Sequence, residues 1–250
     1  MLFDDSTLLL AILFLVVGAL YASVGHAGAS GYLAVMALMG FAPESMRPTA
    51  LAVNVLVSVI AFVQFRAAGH FSWRLTWPFL LAAPVAAFLG AAIPLSERGI
   101  KIAIGVALLL ASLRMAWSLV RDRAGSAREP TPPSRTVALV AGGIIGLISG
   151  ITGTGGGIVL SPLMLLCNWA DPKQVAGTSA LFILCNSIAG LGGLALEGWT
   201  PHPSLLVLAI GGAIGGAIGA RVGSRHLGFA WLRGILGVVV FIAAVKLVAA

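Results

Sequence analysis

Two glycine-studded runs hold the residues of this chain best suited to gripping a small ligand. The more prominent is Gly146-Leu-Ile-Ser-Gly-Ile-Thr-Gly-Thr-Gly-Gly-Gly-Ile-Val-Leu-Ser-Pro162, in which seven residues are glycine or proline although no polar loop surrounds them. Glycine clusters ordinarily mark surface turns. Within apolar sequence they mark either close helix packing through small residues or broken backbone that lines a path. Gly153, Thr154, Gly155, Gly156 and Gly157 precede an apolar stretch. A glycine turn opening a helix there would expose N–H groups and the positive end of the helix dipole, a setting for anions. No Gly-Lys-Ser/Thr follows, so the run is not a nucleotide phosphate loop. The other run, Gly25-His-Ala-Gly-Ala-Ser-Gly31, is a weaker copy with Ala27 and Ala29 in place of two glycines and Ala34 in place of Pro162. Its His26 falls opposite Thr154, and either binds an anion as imidazolium, changes charge during a cycle, or stays neutral and bonds backbone.

Further polar groups lie in apolar surroundings. Thr49 and Thr178 sit beside Pro48 and Gly177, at the expected starts of two helices, where a hydroxyl caps the helix or bonds an anion's oxygens. Asn54, Ser58, Asn186 and Ser187 either line a path or bond from helix to helix. The candidate ligand-binding set is therefore Gly25, His26, Gly28, Thr49, Asn54, Gly153, Thr154, Gly155, Gly156, Gly157, Thr178 and Asn186. All eight acids fall near segment ends or in turns. Cation pumps typically hold a carboxylate within the membrane, so an anion is the expected substrate. No nucleophile, base and acid assemble within a segment, which argues against an enzyme. Cys167 and Cys185 lie in apolar runs without metal-site spacing, and no cofactor is implied. Lys101/Arg233 and Arg114/Lys246 recur at matching positions and read as anchors bracketing a bilayer.

The elements that must position these residues follow from composition. Of 250 residues 59% are hydrophobic and 9% charged, against about 25% charged in a soluble domain. Apolar runs recur from end to end, so the fold expected is an all-α polytopic membrane protein embedded in a lipid bilayer. The formal charge of +7 comes mainly from loop arginines and is explained by the positive-inside rule, not by nucleic-acid binding. The apolar segments are 6–24, 29–41, 48–66, 75–95 and 99–120, then 136–152, 156–169, 175–195, 203–222 and 229–249. Residues 1–120 form one membrane repeat, 121–135 a polar cytoplasmic linker, and 136–250 a second repeat.

The halves align residue by residue: Gly18 with Gly146, Gly25 with Gly153, Gly28 with Gly156, Thr49 with Thr178, Ser58 with Ser187 and Gly90 with Gly219. Basic residues crowd the linker and the 66–74 turn, whereas the matching 197–203 turn has none. Matching turns thus belong on opposite faces, which predicts two inverted five-element repeats with glycine-rich broken helices near mid-membrane and both termini outside. Segments 29–41 and 156–169 are short, and are expected to be incomplete or tilted.

Gly150-Ile-Thr-Gly-Thr-Gly-Gly-Gly-Ile-Val-Leu-Ser-Pro162, its first-half copy, Ala176-Gly-Thr-Ser-Ala180 and Glu197-Gly-Trp199 resemble the TauE/SafE family over nearly the whole chain. The resemblance implies an inner-membrane transporter of small anions, sulfite or organosulfonates such as sulfoacetate, working by alternating access. An anion channel and a non-transporting assembly protein are the alternatives, and a homo-oligomer is left open.

Overall fold

The computed structural model describes residues 5–94, 96–121, 129–196, 198–199 and 202–225, with positions 241 and 245. Among these every regular element is an α-helix: α1 (Asp5–Ala22), α2 (Ala29–Leu38), α3 (Pro43–Ala67), α4 (Trp73–Leu80), α5 (Ala83–Ala91), α6 (Glu97–Arg121), α7 (Arg135–Thr152), α8 (Gly157–Leu166), α9 (Pro172–Ala195) and α10 (Leu205–Arg225). The expected segment 229–249 lies outside the described residues, as do Arg233 and Lys246. Among the described residues five helices are long and apolar enough to cross a bilayer: α3, α4–α5 taken together, α7, α9 and α10.

Helix starts are set by local chemistry. Asp171 caps α9, its carboxylate accepting the N–H groups of Lys173 and Gln174 at 3.0 Å, and Pro172 supplies the first helical residue. Helix α3 likewise opens on Pro43, and Pro48 lies inside it. Both helices therefore begin earlier than the sequence suggested, and Thr49 and Thr178 cap neither. The expected segment 75–95 is interrupted at residues 81–82, just before Pro84, whose missing N–H cannot bond the preceding turn. Helices α2 and α8 have 10 residues each, shorter than the segments expected, and both start from a left-handed glycine, Gly28 (φ 100°) and Gly156 (φ 83°).

Two glycine seams hold the bundle together. On α10, Gly211, Gly215, Gly219 and Gly223 press against the backbone carbonyls of Ala11, Leu15 and Ala19 along α1 and of Ser23 just past its end. On α7, Gly142, Gly146 and Gly150 press against Phe79, Ala83 and Ala87 of α4–α5. A Cβ at any of these positions would collide with backbone, so close packing selects glycine. The paired numbers ascend together, so each pair of helices runs parallel. Both seams join helices from different halves of the chain, and the buried cores follow them. One core is built mainly from α1, α2, α3, α6 and α10. The other large one takes α4–α5 together with α7, α8 and α9, and a small third cluster joins Leu51 of α3 to Ala91 and Leu194. Each half therefore places one bilayer-length span in the other half's core.

The connecting turns sort to two ends of the bundle. Asn168, between α8 and α9, accepts the Thr131 N–H through its carbonyl and donates its amide to the Glu129 carbonyl, both at 2.9 Å. Ser72 and Arg74 share a cleft with Pro132, Pro133 and Arg135, so the α3–α4 turn lies at this same end. The α2–α3 turn lies at the opposite end of α3, where the Phe41 ring is 4.8 Å from that of His202.

Candidate functional site

The two turns that interrupt the helices meet in the interior. Gly25 (φ 75°) and Gly28 bound the first; Gly153 (φ 73°), Gly155 (φ 74°) and Gly156 form the second. Neither α2 nor α8 is closed by a side-chain cap, so each presents its first N–H groups and positive dipole end to the surrounding interior.

His26 crosses from one turn to the other. Its Nε2 lies 2.8 Å from the Gly157 carbonyl and 3.1 Å from Ser161 Oγ, and its Nδ1 lies 3.2 Å from the Val24 carbonyl. Carbonyl oxygens only accept: the neutral ring can donate to one of them, the imidazolium to both. Ser161 continues the chain to Ser179 on α9, Oγ to Oγ at 2.7 Å. One ring thus ties the first turn to α8 and, through a hydroxyl, to α9.

The second turn is lined by amides. A Cβ on Gly155 would stand 2.8 Å from Asn54 Nδ2 and 3.2 Å from Ser187 Oγ; one on Gly156 would stand 3.3 Å from Asn186 Nδ2. Asn54 and Asn186 are fully buried. Among the described residues, neither the amide nitrogen nor the amide oxygen of Asn186 has a hydrogen-bond partner, and Asn54 Oδ1 has none. Asn54 Nδ2 makes one long contact to Ser187 Oγ at 3.5 Å. Buried polar groups are almost always bonded, and an unmade bond costs about 1–3 kcal/mol. Three such atoms around one glycine turn make a concentrated reserve of hydrogen-bonding capacity.

Other candidates fall elsewhere. The Thr154 hydroxyl is 2.9 Å from that of Thr152, which donates to the Ile148 carbonyl at 2.8 Å. Thr178 meets Thr76 of α4 at 3.0 Å, fastening α9 to α4, and Thr49 is buried within the second turn of α3. No hydrogen bond among the described residues links Thr49 or Thr178 to the glycine turns. Gly28 packs on the Tyr32 ring of its own helix. No group of His, Cys, Asp or Glu among the described residues could hold a metal ion.

Arg47 is the residue that sequence reasoning passed over. It is 2% exposed, and its Nη2 donates to the Ala91 carbonyl at 3.2 Å and the Gly150 carbonyl at 3.0 Å. These carbonyls belong to the last turns of α5 and α7, whose negative dipole ends attract a cation. Its stem packs on Gly153, so it fixes the helix end from which the second turn departs. By the alignment of Thr49 with Thr178, its counterpart is Ala176, against which Gly25 packs. The legible signal was a lone charge between Met46 and Pro48, in sequence apolar on its far side. Ser161 and Ser179 were also missed, as serines that any helix packing could use.

Bilayer-length helices, glycine seams and two interrupted helices converging on buried polar groups define a multi-pass membrane protein of transporter type. The chain belongs to the sulfite exporter TauE/SafE family, whose model matches residues 10–247. It is also similar to the probable membrane transporter protein y4hK of Sinorhizobium fredii (strain NBRC 101917 / NGR234), with 43% identity covering 98% of this chain and 99% of that one. No solved structure matched.

Proposed function

We propose that this membrane transporter carries small anions, sulfite or organosulfonates such as sulfoacetate, across the inner membrane by alternating access, and that it is not an enzyme. The observation that carries the reading is the second turn: the buried, unbonded Asn186 Nδ2 lies against Gly156, and Asn54 Nδ2, held by one long contact to Ser187, lies against Gly155, beside the uncapped start of α8. Amide and backbone N–H groups with a helix dipole suit a tetrahedral or pyramidal oxyanion, and the family's description as a sulfite exporter supports the same class. Gly25, His26 and Gly28 form the opposing wall, with Thr154 behind the second turn; Thr49 and Thr178 play supporting roles in α3 and α9.

An inverted relation of the halves is the second part of this reading. Matching turns fall at opposite ends of α3, and α1 packs on α10 as α7 packs on α4–α5. With the arginine-bearing linker in the cytoplasm, both termini lie outside. The moving bodies are the two cores, not the two sequence halves, and His26 is a contact that must part when they rock. Proteoliposomes test the function directly. Saturable sulfite or sulfoacetate counterflow is expected; absence of flux for all small oxyanions overturns the substrate class, and large single-channel currents overturn alternating access.

A further inference from the structure

A cleft with two arginines lies at one end of the bundle, away from the glycine turns. About 320 Å³ in volume, it opens between the start of α4 and the linker that enters α7, lined by Ser72, Arg74, Trp77, Pro133 and Arg135 among others. That volume lies in the range of ligand pockets, about 300–1,000 Å³. Its two arginines come from separate segments. The Arg135 guanidinium lies over the Trp77 ring at 5.6 Å from the centroid, which holds the charge at the cleft wall. Among the described residues neither Arg74 nor Arg135 forms an ion pair. The starts of α4 and α7 both flank the space, so their dipoles add positive potential to that of the arginines.

The setting decides which anion. The cleft sits where the bilayer-length α4–α5 span begins, the level of lipid headgroups. Trp73, 59% exposed, stands beside it as an interfacial anchor. Exposed apolar side chains continue from the cleft along α4–α5, Leu81 and Val85, at helical spacing from Arg74 and Trp77. A free oxyanion would need the charges alone, whereas an anionic phospholipid uses both the charges and the apolar track beside them. We infer that this cleft binds the phosphate of an anionic phospholipid headgroup and couples the α3–α4 turn to the linker through it. The inference is independent of what the transporter carries.

Native mass spectrometry of the full chain in neutral detergent tests it, titrating phosphatidylglycerol against phosphatidylcholine of the same acyl chains. Phosphatidylglycerol is expected to bind about tenfold more tightly, and the Arg74→Gln/Arg135→Gln double variant to lose that preference while binding phosphatidylcholine as before. Both side chains are exposed, so the fold should survive. Should the double variant aggregate, Arg74→Gln alone is read in the same way, with a smaller loss of preference. Equal binding of the two lipids by the unaltered chain, or a preference that persists in the variants, overturns the proposal. So does displacement of phosphatidylglycerol by excess inorganic phosphate accompanied by phosphate-induced thermal stabilisation, which would make this a site for free anions.

Discussion

The first and second glycine turns share a backbone and differ in what fills them. Gly25 and Gly153 have φ of 75° and 73°, and Gly28 and Gly156 both open ten-residue helices. Yet the first turn is closed by its own side chain, His26, which reaches the Gly157 carbonyl and Ser161. The second has no such plug: it adds a third left-handed glycine, Gly155, where the first has Ala27, and it faces the Asn186 amide, which has no partner among the described residues. Behind the first stands Ala176; behind the second stands the buried cation Arg47. The backbone conformations match, and the side chains differ: His26 bridges the first turn to α8, whereas the second faces amide atoms without partners.

The sharpest way to break that distinction is Gly155→Ala. A left-handed φ and a Cβ 2.8 Å from both Asn54 and Ile183 should together cost about 2–5 kcal/mol and abolish sulfite counterflow. The reciprocal Ala27→Gly on the first turn should cost about 1 kcal/mol or less in thermal unfolding. If both behave alike, the second turn is not special. Next in size, Arg47→Met removes a charge that bonds two helix ends and should cost about 3 kcal/mol, read by thermal unfolding in detergent. Its counterpart change Ala176→Gly should cost about 1 kcal/mol.

His26→Ala should cost about 1–3 kcal/mol and leave flux in place with weakened discrimination among small anions, measured by competition counterflow. Unaltered selectivity would remove His26 from substrate choice. Asn186→Ala has the smallest expected effect on stability, neutral or stabilising by about 1 kcal/mol, because the amide it removes has no bond to lose. Flux should nonetheless fall about tenfold. A destabilised variant with normal flux would mark Asn186 as structural.

Much of this was readable in the sequence because a bilayer leaves so few choices. Apolar runs bounded by charge become helices, and the glycine turns announced themselves by position, down to the matched glycines of the two halves. The Pro43 start was hidden because Pro48 looked like the natural opening residue, although the ring sits inside α3. Arg47 was lost with it, since a charge assigned to a turn raises no question. The break at residues 81–82 needed the pair Pro78 and Pro84 to be weighed together. Pairing across the bundle was the least accessible feature. Hydrophobic pattern tells a helix that it must be covered but not by which partner, so the exchange of α10 and α4–α5 between cores left no trace in periodicity.

That exchange governs how the protein must be made. The glycines that cover α1 lie on α10, among the last described residues to leave the ribosome. During synthesis α1 and α4–α5 therefore wait in the bilayer with carbonyl-lined grooves uncovered, one for α10 and the other for α7. Insertion can proceed span by span, but maturation cannot; the first half alone has no finished state. Halves severed at the linker and co-expressed should assemble with one another, whereas either produced alone should remain open to proteolysis.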